Sequence, residues 1–128
     1  MKYKQLLQLV SNINAVIGNQ ETKVQKKLFK IYEKIKKHHE DYQSEVEILR
    51  LDNASTDEKD ILLLDDKGGY KFTKDGIKKL TKDIEALNEK EFDFQVISVV
   101  NQDGLQDLVF LKDWTSGIDF NLEEEEEL

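Results

Sequence analysis

The chain has 128 residues, a formal net charge of −8 and no cysteine, and its residues are 36% charged and 38% apolar. This length fits one domain with a core of its own, and the lack of thiols excludes disulfides, thiolate zinc sites and thiol catalysis. The first 39 residues hold nine lysines and two glutamates, whereas the remainder holds 25 acidic and ten basic residues. We expect these two parts to attract each other, within one molecule or between copies.

The N-terminal part of the chain predicts two helices. Apolar residues recur every three or four positions, which predicts a first helix over residues 2–17. Thr22 and Gln25 have the spacing of a capping box, so a second helix is expected to begin at Lys23. Its apolar seam is typical of a helix that packs against a neighbour. Together the two elements predict an antiparallel helical hairpin over residues 2–51.

The middle of the chain predicts a β-hairpin and a third helix. Two apolar stretches in residues 61–72 flank a turn in which Gly68 and Gly69 can supply positive φ angles. Thr73 is the expected cap of a helix over residues 74–90, whose apolar residues again have helical spacing.

The last part of the chain predicts a strand and a tail. Residues 92–100 alternate and then become continuously apolar, as in a buried strand. Residues 105–113 fit a short helix or a strand, and a short helix is favoured. Residues 114–128 are expected to be an acidic, partly disordered C-terminal tail. The whole predicts a single α+β domain over residues 1–113, in which a third helix packs beside the helical hairpin and a small antiparallel sheet.

No pattern of catalytic residues stands out, so we expect no enzyme and no cofactor. His38 and His39 point about 100° apart on a helix, and His38 with Asp41 gives only half of a metal site. A polar break in the helical seam at His38, with a solvated His39, is the preferred interpretation. Residues 67–69 lack the following helix of a phosphate-binding loop. No metal and no small-molecule substrate is expected.

The second helix is unusually basic, with seven lysines and one glutamate between residues 23 and 37. A helix dipole favours acids near its start, so this placement is unfavourable. One interpretation is a solvated basic face whose lysine stems shield apolar neighbours. The other is a binding surface for a negatively charged partner. Five of the lysines form one stripe, which we call the lysine stripe: Lys23, Lys27, Lys30, Lys34 and Lys37.

Three partners fit a basic stripe: an acidic patch on another protein, nucleic acid, or acidic residues of this same chain, in one molecule or between copies. Nucleic acid is not favoured, because the acidic remainder of the chain repels phosphates. No membrane partner is expected, since the apolar runs are too short to cross a bilayer. The candidate acidic segment of the chain itself, which we call the acidic run, consists of Glu123, Glu124, Glu125, Glu126 and Glu127.

The order of these elements resembles that of small, uncharacterised bacteriophage proteins. The resemblance covers residues 2–111 and rests on the segments KLFKIYEKIKKHHEDYQSE, DDKGGYKFTKDG, IKKLTKDIEALNEKE and FDFQVISV. It implies a phage-encoded virion component or assembly accessory that binds another protein. Its expected location is the host cytoplasm at synthesis, and the virion if it is a structural part.

The resulting hypothesis is a non-enzymatic interaction or structural protein that docks through the basic helix and the acidic tail. The alternative is an acidic inhibitor that imitates nucleic-acid phosphate and blocks a host enzyme, which the many carboxylates after residue 39 permit.

Overall fold

The structure, a computed structural model, describes residues 1–121 and contains three α-helices and two very short strands. The α+β class predicted from the sequence is confirmed. In chain order the elements are α1 (Tyr3–Ile17), α2 (Thr22–Asn53), α3 (Lys74–Asn88), β1 (Ile97–Ser98), a 3-10 helix (Val109–Leu111) and β2 (Thr115–Ser116).

Helices α1 and α2 pack antiparallel. At one end the Gln25 side chain donates a hydrogen bond of 2.9 Å to the Ile17 carbonyl, and at the other end the rings of Tyr3 and Tyr42 lie 5.2 Å apart. The predicted capping box is wrong, because Glu21 precedes α2 without a side-chain cap. Helix ends leave carbonyls without intrahelical partners, and the Gln25 amide satisfies one of these carbonyls at the end of α1.

Helix α3 packs antiparallel against the C-terminal part of α2. Its predicted cap is confirmed, since Thr73 Oγ1 accepts a hydrogen bond of 2.9 Å from the Gly76 amide. A Cβ atom at Gly76 would lie 2.8 Å from the Asn53 carbonyl oxygen, so the absence of a side chain allows the two helix ends to meet. At the other end of α3, the Tyr42 hydroxyl donates to Asn88 Oδ1 at 2.6 Å.

Residues 61–72 reverse direction as predicted but form isolated antiparallel bridges instead of regular strands. The Asp65 amide donates to the Gly69 carbonyl at 2.8 Å, which closes the turn. Gly68 has a φ of 80°, and a Cβ atom at Gly69 would lie 2.9 Å from Asp65 Oδ2, so the Asp65 carboxylate would have to shift to admit a side chain there.

The predicted antiparallel sheet is wrong, because β1 and β2 are parallel. Ile97 pairs with Thr115, and Ser98 pairs with Ser116. The strand predicted over residues 92–100 is therefore only two residues long. Its partner lies beyond a long crossing connection, and such a connection is what parallel pairing requires.

The end of the described chain is packed rather than tail-like. Trp114 is only 4% exposed, and its ring centroid lies 4.9 Å from that of Phe94. The predicted tail boundary at residue 114 is therefore wrong, because Trp114 and Thr115, the first residue of β2, are both buried. Residues 105–113 contain turns and one short 3-10 helix, Val109–Leu111, so the favoured short helix is present over three residues and the strand alternative is not. The acidic run lies outside the described residues.

The core lies where α1, the N-terminal half of α2 and residues 105–114 meet. Helix α3 contributes one buried apolar side chain, Leu87, among the described residues. The largest fully buried side chains are Leu6, Leu9, Leu28, Ile35, Leu105 and Leu111.

Candidate functional site

The lysine stripe lies along one edge of α2, beside its buried apolar seam. Lys27 is half-buried, and the other four lysines of the stripe are exposed. Three of its lysines, Lys27, Lys30 and Lys34, lie across from residues 97–101 and Leu105. The helical spacing used to define the stripe places all five lysines along one face of α2.

An open groove of about 310 Å³ runs between α2 and residues 97–101, and we call it the lysine groove. Lys27, Lys30 and Lys34 line it from the helix, while Ile31 and Leu105 add buried apolar atoms. Lys23 and Lys37 stand about one turn beyond its two ends. The opposite wall consists of Ile97, Ser98, Val99, Val100 and Asn101.

Lys27 differs from its neighbours because it binds the opposite wall of the groove. Its Nζ atom donates to the Asp103 carbonyl at 2.5 Å and to Asn101 Oδ1 at 3.3 Å. The loop comes this close to α2 because Gly104 has a φ of 87° and no side chain. A Cβ atom at Gly104 would collide with Val24 Cγ2. Lys27 is therefore partly structural, whereas Lys30 and Lys34 border the groove without such a bond among the described residues.

The opposite wall also presents a strand edge. The Ile97 amide donates to the Trp114 carbonyl at 2.9 Å, and the Val99 amide donates to the Ser116 carbonyl at 3.0 Å. Successive residues of a strand point their amides to opposite edges, so the Ser98 amide points away from β2. Ser98 also lines the groove. The groove therefore combines ammonium groups, apolar atoms and an extended backbone edge.

A second open groove, of about 470 Å³, continues from the first past Lys34. It contains His38, whose ring centroid lies 4.8 Å from that of Phe92 and 6.1 Å from that of Phe94. This packing agrees with a polar break in the helical seam. His39, which was expected to be solvated, is half-buried beside Tyr32.

The ion pairs of the described residues all lie away from the lysine stripe. Within residues 1–121, no stripe lysine has a carboxylate oxygen within 4.0 Å, although other lysines do. The ion pairs are Lys2 and Lys4 with Glu89, Arg50 with Glu47, Lys79 with Asp83 and Lys90 with Glu45.

These ion pairs change the titration of the groups that form them. Hydrogen bonds from Lys4 and Lys2 lower the pKa of Glu89 below its ordinary value. The hydrogen bond to Glu45 raises the pKa of Lys90. The molecule thus pairs some of the lysines near α1 and α3 with its own carboxylates, but no carboxylate oxygen of residues 1–121 lies within 4.0 Å of a stripe ammonium group.

Sequence reasoning found the stripe but missed the groove that it borders. The residue that marks the groove is Val100, the last residue of an apolar run in the sequence. In the structure its side chain is fully exposed. The turn from Asn101 to Gly104 that follows is the loop that packs against Lys27. Pattern alone assigned the apolar run to a buried strand and left the loop without a role.

Other features of the described residues add no further site. None of the helices within residues 1–121 is both long enough and apolar enough to cross a membrane. In that same range, no three histidine or carboxylate side chains are grouped so that they could hold a metal ion. No protein-family model, no curated protein and no solved structure matches the chain.

Proposed function

We propose that the protein is a non-enzymatic interaction or structural protein that binds an acidic polypeptide segment in the lysine groove. The observation that carries this proposal is a row of lysines without carboxylate partners among residues 1–121, set beside apolar atoms and a strand edge. The partner is an acidic surface of a second copy or of a larger assembly. In keeping with the phage resemblance, the proposed setting is a virion or its assembly.

A polypeptide suits the groove better than nucleic acid does. A strand edge can hydrogen-bond an added extended peptide, and the half-buried Val99 and the exposed Val100 in the groove wall can contact apolar side chains of that peptide. Nucleic-acid binding grows with the number of phosphates that a basic track neutralises. Here the basic track is one helix edge on a chain with a net charge of −8, which repels a long phosphate backbone.

The test uses a fluorescent peptide of the sequence NLEEEEEL, residues 121–128. Its binding to a full-length variant in which all five glutamates of the acidic run are replaced by glutamine is followed by fluorescence anisotropy. A second variant carries the same five glutamines and also Lys30→Gln, Lys34→Gln and Lys37→Gln. It removes three charges of the stripe and retains Lys27, which is partly structural.

The matched control removes the same charge elsewhere. Lys74, Lys78 and Lys82 lie on one face of α3, are exposed, and form no ion pair within residues 1–121. Changing all three to glutamine should leave peptide binding nearly unchanged, whereas the stripe variant should lose it. Equal loss in both variants, or tighter binding of a DNA oligonucleotide than of the peptide, would reject the proposal.

The self-docking form of the proposal has its own measurement. Size-exclusion chromatography with light scattering should show association at low salt that weakens as the Debye length falls from about 30 Å at 0.01 M to about 3 Å at 1 M. A strict monomer at low salt and high concentration would remove the second copy as the partner.

A further inference from the structure

We infer that the acidic run of the same molecule is the resident occupant of the lysine groove, so that an outside acidic partner must displace it. This inference rests on the proposed function, because it assigns the first ligand of the same groove. It would make binding autoinhibited.

The last described residues are held next to the groove. The Asn121 amide donates to the Gln106 carbonyl at 2.9 Å, and the Asn121 side chain donates to Asp107 Oδ1 at 2.7 Å. The Asp119 amide donates to Gln102 Oε1 at 2.6 Å. Residues 119–121 therefore lie along the same loop that supplies Leu105 to the groove and two oxygen atoms to Lys27.

The distances allow the acidic run to reach the stripe. One residue, Leu122, separates Asn121 from Glu123. An extended chain advances about 3.3–3.6 Å per residue, so Glu127 can reach about 20 Å from Asn121. The five glutamates then span about 14 Å, and a helix rise of 1.5 Å per residue gives about 15 Å from Lys27 to Lys37.

The exposed lysines of α3 are a poorer destination for the acidic run. The loop that holds Asn121 packs near Val24 and Lys27 on α2, whereas α3 packs beside α2 from Tyr42 onward. The helix rise from residue 27 to 42 is about 22 Å, which is more than the extended acidic run can cover.

Linkage in one chain favours the internal partner over a second copy. A segment joined by a short linker has an effective concentration of the order of millimolar near its site. An outside copy therefore competes well only when its own concentration approaches that value. The charges match in sign and spacing, and the pairing is expected to weaken with added salt.

The experiment is zero-length cross-linking of the full-length chain at low protein concentration. A carbodiimide forms an amide directly between a carboxylate and an amine that are in contact. Equal amounts of unlabelled and ¹⁵N-labelled protein are mixed before the reaction and digested with trypsin afterwards. Residues 113–128 contain no lysine or arginine, so the acidic run is recovered in one peptide.

The expected result is cross-links from the acidic run to Lys30, Lys34 or Lys37, with both peptides light or both heavy. Each exposed ion pair changes an equilibrium constant by only about 1.5-fold to 5-fold. Several pairs together should still give a yield that falls at least about threefold between low and high salt. The unmodified chain should also bind the NLEEEEEL peptide at least about threefold more weakly than the variant with five glutamines.

Three results would overturn the inference: mixed light–heavy pairs in half of the linked peptides, links chiefly to Lys74, Lys78 and Lys82, or no links from the acidic run. The failure of the proposed function is separate from these. If the peptide binds the groove of the five-glutamine variant while internal links are absent, only the inference fails. If internal links form but the peptide does not bind, the proposed function fails.

Discussion

The contact between the loop of residues 101–105 and α2 is open to a sharp test at Gly104. Its φ of 87° is a backbone conformation that favours glycine, and a Cβ atom there would collide with Val24 Cγ2. Gly104→Ala therefore introduces two separate costs, one in the backbone and one in packing. It should also push the loop away from Lys27, which binds the Asp103 carbonyl.

The size of the effect follows from these two costs. A left-handed backbone costs a residue with a side chain about 1–2 kcal/mol, and an overpacked contact costs about 1–3 kcal/mol. Gly104→Ala should therefore lower the free energy of unfolding by about 2–5 kcal/mol. With a urea dependence of about 2 kcal/mol per M, the middle of the usual range, the midpoint should fall by about 1–2.5 M.

The assay is urea unfolding followed by the circular dichroism of the helices, with two further variants. Gly18→Ala is the matched control, because Gly18 has a φ of −67° and nothing within 4 Å of its Cβ position. It should stabilise the protein by about 0.4–1 kcal/mol. In a Val24→Ala background, Gly104→Ala should cost only the backbone part, about 1–2 kcal/mol.

Two results would refute this reasoning. If Gly104→Ala unfolds at the same urea concentration as the unmodified chain, the loop does not pack on α2 as described. If its cost is the same with and without Val24, the collision with Cγ2 contributes nothing and only the backbone matters.

Three further predictions concern the core and the ion pairs. Trp114→Ala should lower the free energy of unfolding by about 3–5 kcal/mol in the urea assay, because it empties a buried aromatic site. Tyr42→Phe should cost about 1 kcal/mol in the same assay, because Asn88 Oδ1 loses its donor. Glu89→Gln should flatten the loss of stability in acid. A hydrogen bond from Lys4 lowers the pKa of Glu89 from its ordinary 4.5, so the stabilisation is present above pH 4.5 and is lost as pH falls through the lowered pKa.

Each of these predictions has a result that would contradict it. Trp114→Phe keeps a ring in the core, so a loss equal to that of Trp114→Ala would mean that the aromatic packing is unimportant. An unchanged urea midpoint for Tyr42→Phe would mean that its hydrogen bond to Asn88 is not stabilising. For Glu89→Gln, the urea midpoint is measured from neutral pH down to about pH 3. A curve parallel to that of the unmodified chain would exclude Glu89 from the acid response.

The helices were predictable because their information is local. Apolar residues at helical spacing placed α1, α2 and α3 to within a few residues of their ends, and the hydroxyl of Thr73 marked the start of α3. The N-terminus of α2 was harder. The Gln25 side chain could cap the start of α2, as the capping box predicts, or bond to the end of α1. It bonds to the Ile17 carbonyl, and this choice depends on how α1 packs beside α2.

The sheet was not predictable in the same way, because strand pairing is decided by distant residues. The pattern of residues 92–100 shows that the segment is buried but does not identify its partner. The Phe92 ring packs beside His38, and the Phe94 ring packs beside Trp114. Only Ile97 and Ser98 of this segment pair with β2. The neighbouring hairpin was the nearest partner in sequence, yet the partner in space begins at Thr115.

Half of the candidate site follows from the sequence. Helical geometry alone aligns the five lysines of the stripe, since residues three and four apart share a face. The other wall of the groove depends on the loop at Gly104, whose fit against Val24 no local pattern describes. The special role of Lys27 follows from that fit and is equally invisible in the sequence.

The charge of the stripe is separable from the stability of the fold, and this can be measured. The buried seam side chains Val24, Leu28 and Ile35 contribute about 1.5–3 kcal/mol each, whereas neighbouring charges on a helix contribute about 0.2–0.5 kcal/mol per pair, in either direction. Replacing Lys30 and Lys34, together with Lys37, by glutamine removes repulsive and attractive neighbours in similar number, so the free energy of unfolding should change by less than about 0.5 kcal/mol. A variant that folds normally and no longer binds the acidic peptide would assign these lysines to recognition. A large loss of stability would instead assign them to the fold and leave the groove without a ligand.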